Sequence, residues 1–240
     1  MSVLSQRLVP GIVGISTYVD CVYQKEMQLT AVRAAGIKGP INQLRTVTVT
    51  LDFNMLVANL QAGYKEAAEE QVAVTAEALQ AAGAEFLVVT SGTTSTLTGR
   101  ARARVSIPFL DLAEAAWKEA SQTGPVGLLC TSYATAGGIF QAAADRHGAT
   151  LVVPSLRTAQ RIDEVIFGEL ICGEVSEAGI GVLRDAIAEL VERGAVSIIL
   201  GNTDMTLAAD RLEQLTPAAL IDSARAHARA AGRAAVEGHL

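Results

Sequence analysis

Leu79-Gln-Ala-Ala-Gly83-Ala84-Glu-Phe-Leu-Val-Val-Thr-Ser91 aligns without a gap on Leu190-Val-Glu-Arg-Gly194-Ala195-Val-Ser-Ile-Ile-Leu-Gly-Asn202. Leucine falls on leucine, Gly-Ala on Gly-Ala, and Ser91 on Asn202. Each copy reads as the end of a helix, a glycine stop, a short apolar strand and a polar loop, which is the grammar of a parallel α/β unit. The sequence therefore contains two similar halves.

The fronts of the halves agree as well. Gly11-Ile-Val-Gly-Ile-Ser16-Thr17 and Val126-Gly-Leu-Leu-Cys130-Thr131-Ser132 are apolar runs that pass into hydroxyl residues, as strands buried on both faces do when they end at a site. Further strands are expected at 46–51, 85–90, 150–153 and 196–200. Helices are expected at about 21–35, 55–82, 111–122, 134–147, 158–171, 176–193 and 217–236. The alternation predicts an α/β fold of two pseudo-symmetric lobes, with mainly parallel sheets flanked by helices and an active site in the cleft between them. The first lobe is expected to span 1–115, completed by 211–240, and the second 116–210.

Half of the 240 residues are apolar, enough for a large core, and the formal charge of -6 with a pI near 5.1 leaves no basic footprint for nucleic acid. No apolar run approaches the roughly 20 residues of a membrane helix. The first residues, Met1-Ser-Val-Leu-Ser-Gln-Arg7, lack the pattern of a secretory leader. A cytoplasmic location is the expectation, with no nucleic-acid or membrane partner. Cys21, Cys130 and Cys172 are odd in number and widely spaced, so neither a disulfide framework nor a zinc site is indicated.

The residues also carry a resemblance. In order along the chain stand Gly14-Ile-Ser16, Thr50-Leu-Asp52-Phe53, Gly63-Tyr-Lys, Ser91-Gly92-Thr93, Ile107-Pro108-Phe-Leu-Asp111, Val126-Gly-Leu-Leu-Cys130-Thr131, Val153-Pro154, Glu169-Leu-Ile-Cys-Gly173, Gly201-Asn202-Thr203-Asp204 and Ile221-Asp222, with His227-Ala beyond. Together they resemble the aspartate/glutamate racemase superfamily over nearly the whole chain.

The resemblance implies two α/β lobes, no cofactor, and a small carboxylate or amino-acid-like substrate; it leaves a homodimer open. Racemases of the family use one Cys-Asn-Thr loop and one Gly-Cys-Thr-Glu loop, whose two thiols act on opposite faces of the substrate carbon. By that match Ser91 stands at the first cysteine, Gly92 at its asparagine, Thr93 at its threonine, Asn202 at the second cysteine, Thr203 at its threonine and Asp204 at its acid. This chain is then a divergent member lacking both catalytic cysteines.

The substitutions matter chemically. A cysteine thiol with a pKa near 8.5 is readily tuned to a thiolate, a serine hydroxyl needs a neighbouring base, and an asparagine amide does not titrate usefully. Ser91, Asn202 and Asp204 are the candidate catalytic residues. Ser91 stays open between a binding or turn residue, a proton relay or nucleophile, and an inert remnant. Asn202 can orient a carboxylate or stabilise enolate charge. Asp204 is either an acid or base tuned by desolvation, or a helix-capping aspartate.

Candidate substrate-binding residues are Ser16, Thr17, Tyr18, Asp52, Gly92, Thr93, Thr94, Thr131 and Thr203. Asp52 has the alternative of an Asx turn residue. Cys130 is either a displaced thiol near the reacting carbon or a small buried hydrophobe. Cys172 reads as core, and His227 as a packing histidine or a family site residue.

The functional expectation is a cofactor-independent enzyme whose chemistry has moved from two-thiol racemisation to isomerisation, or to lyase or decarboxylase chemistry through an enolate-like species, on a specialised amino-acid or carboxylate intermediate. Two alternatives stand beside it. One is a non-catalytic ligand-binding or regulatory protein on a racemase scaffold, and the other is a racemase working through Asp204 and Cys130.

Overall fold

The computed structural model describes residues 8–36, 43–120 and 123–240. The chain divides into two compact units, residues 1–111 with 227–240, and residues 112–226. In the first unit the order is β1 (Pro10–Gly14), α1 (Thr17–Ala34), β2 (Val47–Thr50), α2 (Phe53–Gln61), α3 (Lys65–Ala81), β3 (Phe86–Val89), α4 (Gly92–Ser95) and α5 (Gly99–Arg104). The second runs α6 (Leu112–Glu119), β4 (Val126–Leu129), α7 (Ser132–Ala136), α8 (Ile139–Arg146), β5 (Leu151–Val152), α9 (Leu156–Gly168), α10 (Glu177–Glu192), β6 (Ser197–Leu200), α11 (Thr206–Leu215) and β7 (Ala219–Asp222). Helix α12 (Ser223–Glu237) then carries the chain back into the first unit.

Both sheets are parallel. The first has the order β2-β1-β3, extended past β3 by a single parallel bridge from Leu87 to Phe109, and the second has the order β5-β4-β6-β7. Phe109 thus stands where β7 stands in the other unit, so the two halves share one topology.

The repeat shows why. Helix α3 ends in Gly83 at φ 93° and α10 in Gly194 at φ 94°, and each stop closes with the same pair of bonds. Ala84 N–H donates to Leu79 O at 3.0 Å and Gly83 N–H to Gln80 O at 3.0 Å; Ala195 N–H donates to Leu190 O at 3.0 Å and Gly194 N–H to Val191 O at 2.9 Å. Such a left-handed stop favours glycine because a Cβ there meets the following backbone.

The central strands carry a second matched pair of glycines. A Cβ at Gly11 would lie 2.6 Å from the Ala84 Cβ, 2.8 Å from the Leu87 Cδ2 and 3.4 Å from the Leu79 Cβ. At Gly127 it would meet Ile198, Leu190 and Ala195 at 3.1 to 3.2 Å, which are the repeat equivalents of Leu87, Leu79 and Ala84. Each helix is therefore seated against its central strand at a glycine, Gly11 or Gly127. Leu79 and Val89 lie in the first core with Val13 and Leu97, while Leu190, Ile198 and Leu200 lie in the second with Leu183 and Ile187.

Several expectations change. The expected helix 55–82 is two helices broken at Gly63 (φ 79°), and 134–147 is broken at Gly138 (φ 73°). The expected helix 217–236 contains strand β7, because Leu220-Ile-Asp222 pairs with Ile198-Ile-Leu200. That pairing draws 211–226 into the second unit, and the core contacts of Leu112 and Ala113 draw 112–115 there too, so the expected boundaries 1–115, 116–210 and 211–240 are corrected. The end of the expected helix 111–122 reaches 121–122, outside the described residues. Cys172, expected in the core, is exposed: it ends a single 3₁₀ turn (Leu170–Cys172) in which Leu170 takes the buried position.

His227 is a packing histidine. It is fully buried, with Tyr23 edge-on at a centroid distance of 5.6 Å. Its Nε2 lies 3.1 Å from the Leu110 carbonyl, which can only accept, so Nε2 carries the proton and Nδ1 accepts from the Tyr23 hydroxyl at 3.0 Å. Burial pushes its pKa down to about 4.

Two predictions follow from this packing. Gly11→Ala should cost about 1–3 kcal/mol of stability because a main-chain-anchored Cβ at Ala84 cannot move aside, and Gly127→Ala should cost less; equal urea midpoints for the two variants would contradict this seating. His227 is neutral when folded and titrates at 6.5 when unfolded, so its share of stability is complete above pH 6.5 and is lost as the pH falls toward 4, roughly 3 kcal/mol in all. Asp20 and Asp222, whose pKa values burial raises, act in the opposite sense. The stability gap between wild type and His227→Gln should therefore narrow between pH 7 and pH 4.5, and parallel pH profiles would count against a neutral buried imidazole.

Candidate functional site

All strands of each sheet are parallel, so every strand-to-helix loop of a unit leaves from the same edge. In the first unit the chain leaves β1 toward β2 on one side and leaves β3 toward Phe109 on the other. Open parallel sheets bind ligands in a crevice at the carboxyl ends of the strands where such a reversal falls, here between β1 and β3. In the second unit the reversal lies between β4 and β6.

The sequence-derived candidates sort onto these crevices. Ser16, Thr17 and Tyr18 follow β1, and Ser91, Gly92, Thr93 and Thr94 follow β3. Thr131 follows β4, and Asn202, Thr203 and Asp204 follow β6. Asp52 stands one strand away, exposed, after β2.

Their local geometry is that of helix caps. The Ser91 Oγ, on a residue only 7% exposed, accepts from Thr94 N–H at 3.1 Å. Asn202, at 6%, accepts through Oδ1 from Asp204 N–H at 3.0 Å. Thr131 Oγ1 accepts from Ala134 N–H at 3.1 Å, and Asp52 Oδ1 from Met55 N–H at 3.0 Å. A side-chain oxygen at this position satisfies an N–H that the helix start leaves without a partner. Asp52 thereby takes its turn-forming alternative. Asp204 sits half-buried inside the turn Thr203–Met205, with its backbone N–H spent on Asn202.

A serine nucleophile needs a base on its hydroxyl. Among the described residues no hydrogen bond joins Ser91 Oγ to a histidine or carboxylate. The Thr94 hydroxyl, on a fully buried residue, has no hydrogen-bond partner among the described residues.

Of its two alternatives, Cys130 takes that of a small buried hydrophobe. Its side chain is buried in an apolar cluster with Leu128, Ala134 and Phe140, and that burial pushes the thiol up to about 12. At neutral pH its thiolate is about one part in 10⁵. Cys21 and Cys172 are exposed and stand in neither set of loops.

Two buried carboxylates beside the loops were not singled out as site residues from the sequence. Asp20, on α1, accepts from the Thr90 and Thr50 hydroxyls at 2.8 and 3.1 Å. Burial raises its pKa against the lowering effect of those bonds. Asp222, at the end of β7, accepts from the Thr206 hydroxyl at 2.7 Å and lies 3.2 Å from Arg225 Nε. Burial raises its pKa too. In sequence Asp20 stands just before the helix expected at 21–35, and only the threonines ending two later strands hint at its role. Among the described residues no cluster of His, Cys, Asp and Glu is placed to hold a metal ion, and no helix is long and apolar enough to cross a membrane.

Comparison with known proteins gives the architecture a context. A candidate Asp/Glu racemase from Yersinia pestis superposes with a TM-score of 0.80 at 23% identity, covering 98% of this chain and all of the other. An aspartate racemase homologue from Pyrococcus horikoshii gives 0.73 at 21% identity, covering 94% and 97%. Glutamate racemase from Aquifex pyrophilus gives 0.63 at 17%, covering 93% and 82%. At these identities the likenesses establish the fold. The sequence model of the Asp/Glu/hydantoin racemases matches residues 30–231, which is most of the chain. This protein belongs to the Asp/Glu/hydantoin racemase family.

Proposed function

We propose that this chain is a cofactor-independent enzyme that acts on a small carboxylate or amino-acid-like substrate by a reaction other than two-thiol racemisation. The reaction is an isomerisation, or an elimination, addition or decarboxylation that passes through an enolate-like species. One observation carries the proposal: the two repeat-equivalent loops of a racemase-family fold hold Ser91 and Asn202, and the buried thiol nearest to them in sequence, Cys130, is held in its neutral form.

A racemase must remove a proton from one face of a carbon and return one to the other, which requires two groups that titrate near neutrality. Serine and asparagine supply neither. Asn202 retains an amide N–H₂ that can bind a carboxylate or an enolate oxygen, and the flanking Thr93 and Thr203 supply hydroxyls. Asp204 is the titratable group in these two loops and serves as the acid or base on its side. Chemistry that is unsymmetric about the carbon suits such a site, and with Cys130 neutral, a racemase working through Asp204 and Cys130 lacks its second base.

A non-catalytic binding protein is the second reading. It draws on the capping bonds, which already occupy the Ser91 Oγ and Asn202 Oδ1 as acceptors.

Two experiments test these readings. In deuterated water the purified protein should show negligible α-proton exchange on aspartate or glutamate, whereas Ser91→Cys with Asn202→Cys should gain weak exchange that each single variant lacks. Rapid exchange by the wild type would refute the proposal, and a double variant that binds ligand with both sulfurs far from its α-carbon would show that these are not the cysteine positions. Separately, a panel of dicarboxylates and amino acids should raise the melting temperature by mass action. Thr203→Val should abolish most of that shift while folding normally. Turnover of a stabilising compound favours the enzyme, and stabilisation without turnover across the panel favours the binding protein.

A further inference from the structure

The carboxylate of Asp20 occupies a place that the fold has cleared for it. Asp20 lies in the first turn of α1 and is 7% exposed. A Cβ on Gly14 would lie 2.2 Å from its Oδ2, so any side chain at the end of β1 would expel the carboxylate. Three donors converge on it. Oδ1 accepts from the Thr90 hydroxyl at 2.8 Å and from Ile15 N–H at 3.4 Å, and Oδ2 accepts from the Thr50 hydroxyl at 3.1 Å.

These donors are the residue after β1, the last residue of β2 and the residue after β3. One buried carboxylate therefore spans the carboxyl ends of all three strands and flanks the β1/β3 crevice. The Thr90 hydroxyl also has the Val13 carbonyl at 3.3 Å, so Asp20 is its nearer acceptor.

The fold itself does not require this arrangement, because the second unit builds the same parallel sheet without it. The residue in register with Gly14 is Cys130, and the repeat equivalent of Thr90 is Gly201, where a Cβ would lie 2.6 Å from Leu128 Cδ1 and 3.0 Å from the Phe140 ring. That corner is closed by apolar packing. A solvated carboxylate moved into the first unit's corner is costly unless its hydrogen bonds are made, and here they are made by groups that lead directly into Ser16 and Ser91.

We propose that Asp20 is a positioning residue: through Ile15, Thr50 and Thr90 it fixes the segments Ser16–Tyr18 and Ser91–Thr94 on the two sides of the β1/β3 crevice. The proposal rests on the reading that these segments bind the substrate, but its effect on their order is measurable without any ligand.

Hydrogen exchange with peptide resolution is the test. In Asp20→Asn, segments 14–18 and 90–97 should exchange at least tenfold faster than in wild type, while α10 in the other unit is unchanged. Thr90→Val should give a similar local increase, and the double variant little more, since both changes disturb the same Asp20–Thr90 bond. Wild-type exchange in Asp20→Asn, acceleration spread equally over α10, or additive effects in the double variant would overturn the proposal. Should Asp20→Asn fail to fold, Thr50→Val at an exposed strand position decides instead: about threefold faster exchange in the same two segments is expected, and no change overturns it.

The ligand arm separates the two readings. A dicarboxylate or amino acid that stabilises the wild type should bind Asp20→Asn at least tenfold more weakly, and equal affinity would count against Asp20. If no compound in the panel stabilises the wild type, the proposed function fails while the exchange data still decide the role of Asp20.

Discussion

The structure depends on the approach of one helix to one glycine, made twice. Gly11 and Gly127 remove a side chain from the central strand of each sheet, and Leu79 with Ala84, or Leu190 with Ala195, fills the space. Because interiors pack at crystal-like density, this contact sets the height of the helix on the sheet. The left-handed stop at Gly83 or Gly194 then turns the chain into the strand at a fixed point. Ser91 and Asn202, eight residues further in each copy, consequently arrive at equivalent places at the ends of β3 and β6. The equivalence of these residues is a product of packing far from any chemistry.

With the framework shared, the differences between the units become informative. In the second, Gly201 admits Leu128 and Phe140 to the corner where the site loop begins; in the first, Thr90 and Asp20 occupy it. An apolar corner holds a loop by shape, and a carboxylate with three donors holds it by direction, since hydrogen bonds weaken steeply away from their axis. The second unit instead places its buried carboxylate, Asp222, against Thr206 at the start of α11, one residue beyond the turn that contains Thr203 and Asp204. Each unit thus sets a buried carboxylate on a threonine hydroxyl next to its loop, Asp20 on Thr90 and Asp222 on Thr206.

How much of this was legible in the sequence follows from the range of the forces involved. The repeat, the strand cores and the glycine stops are local or periodic, so Gly83, Gly194 and the runs Phe86–Val89 and Ile198–Leu200 could be read directly. The loops after β3 and β6 could be read because the repeat delivers them. Strand β7 was hidden because Ala-Leu-Ile-Asp222 is short and runs into an alanine-rich helix, and only pairing with β6, some twenty residues earlier, makes it a strand. Cys172 was misplaced because Leu-Ile-Cys reads as core by composition, while a 3₁₀ turn buries Leu170 and exposes the cysteine. Asp20 was invisible for a further reason: its partners Thr50 and Thr90 lie 30 and 70 residues away, and nothing local distinguishes it from a surface acid.

The capping bonds bear on chemistry as well as on stability. A side-chain oxygen that accepts a helix N–H is oriented, and its lone pair toward that N–H is occupied. Ser91 and Asn202 are both in this state, and each keeps a donor, the hydroxyl proton of Ser91 and the amide N–H₂ of Asn202, beside a second oxygen lone pair. Neither group titrates near neutrality, so neither takes a proton from carbon without a neighbouring base. A thiol at either position would behave differently, because sulfur accepts hydrogen bonds weakly and its deprotonated form is the reactive one. A hydroxyl or an amide in place of a thiol at such a capping position would keep the backbone turn and lose the group that titrates near neutrality.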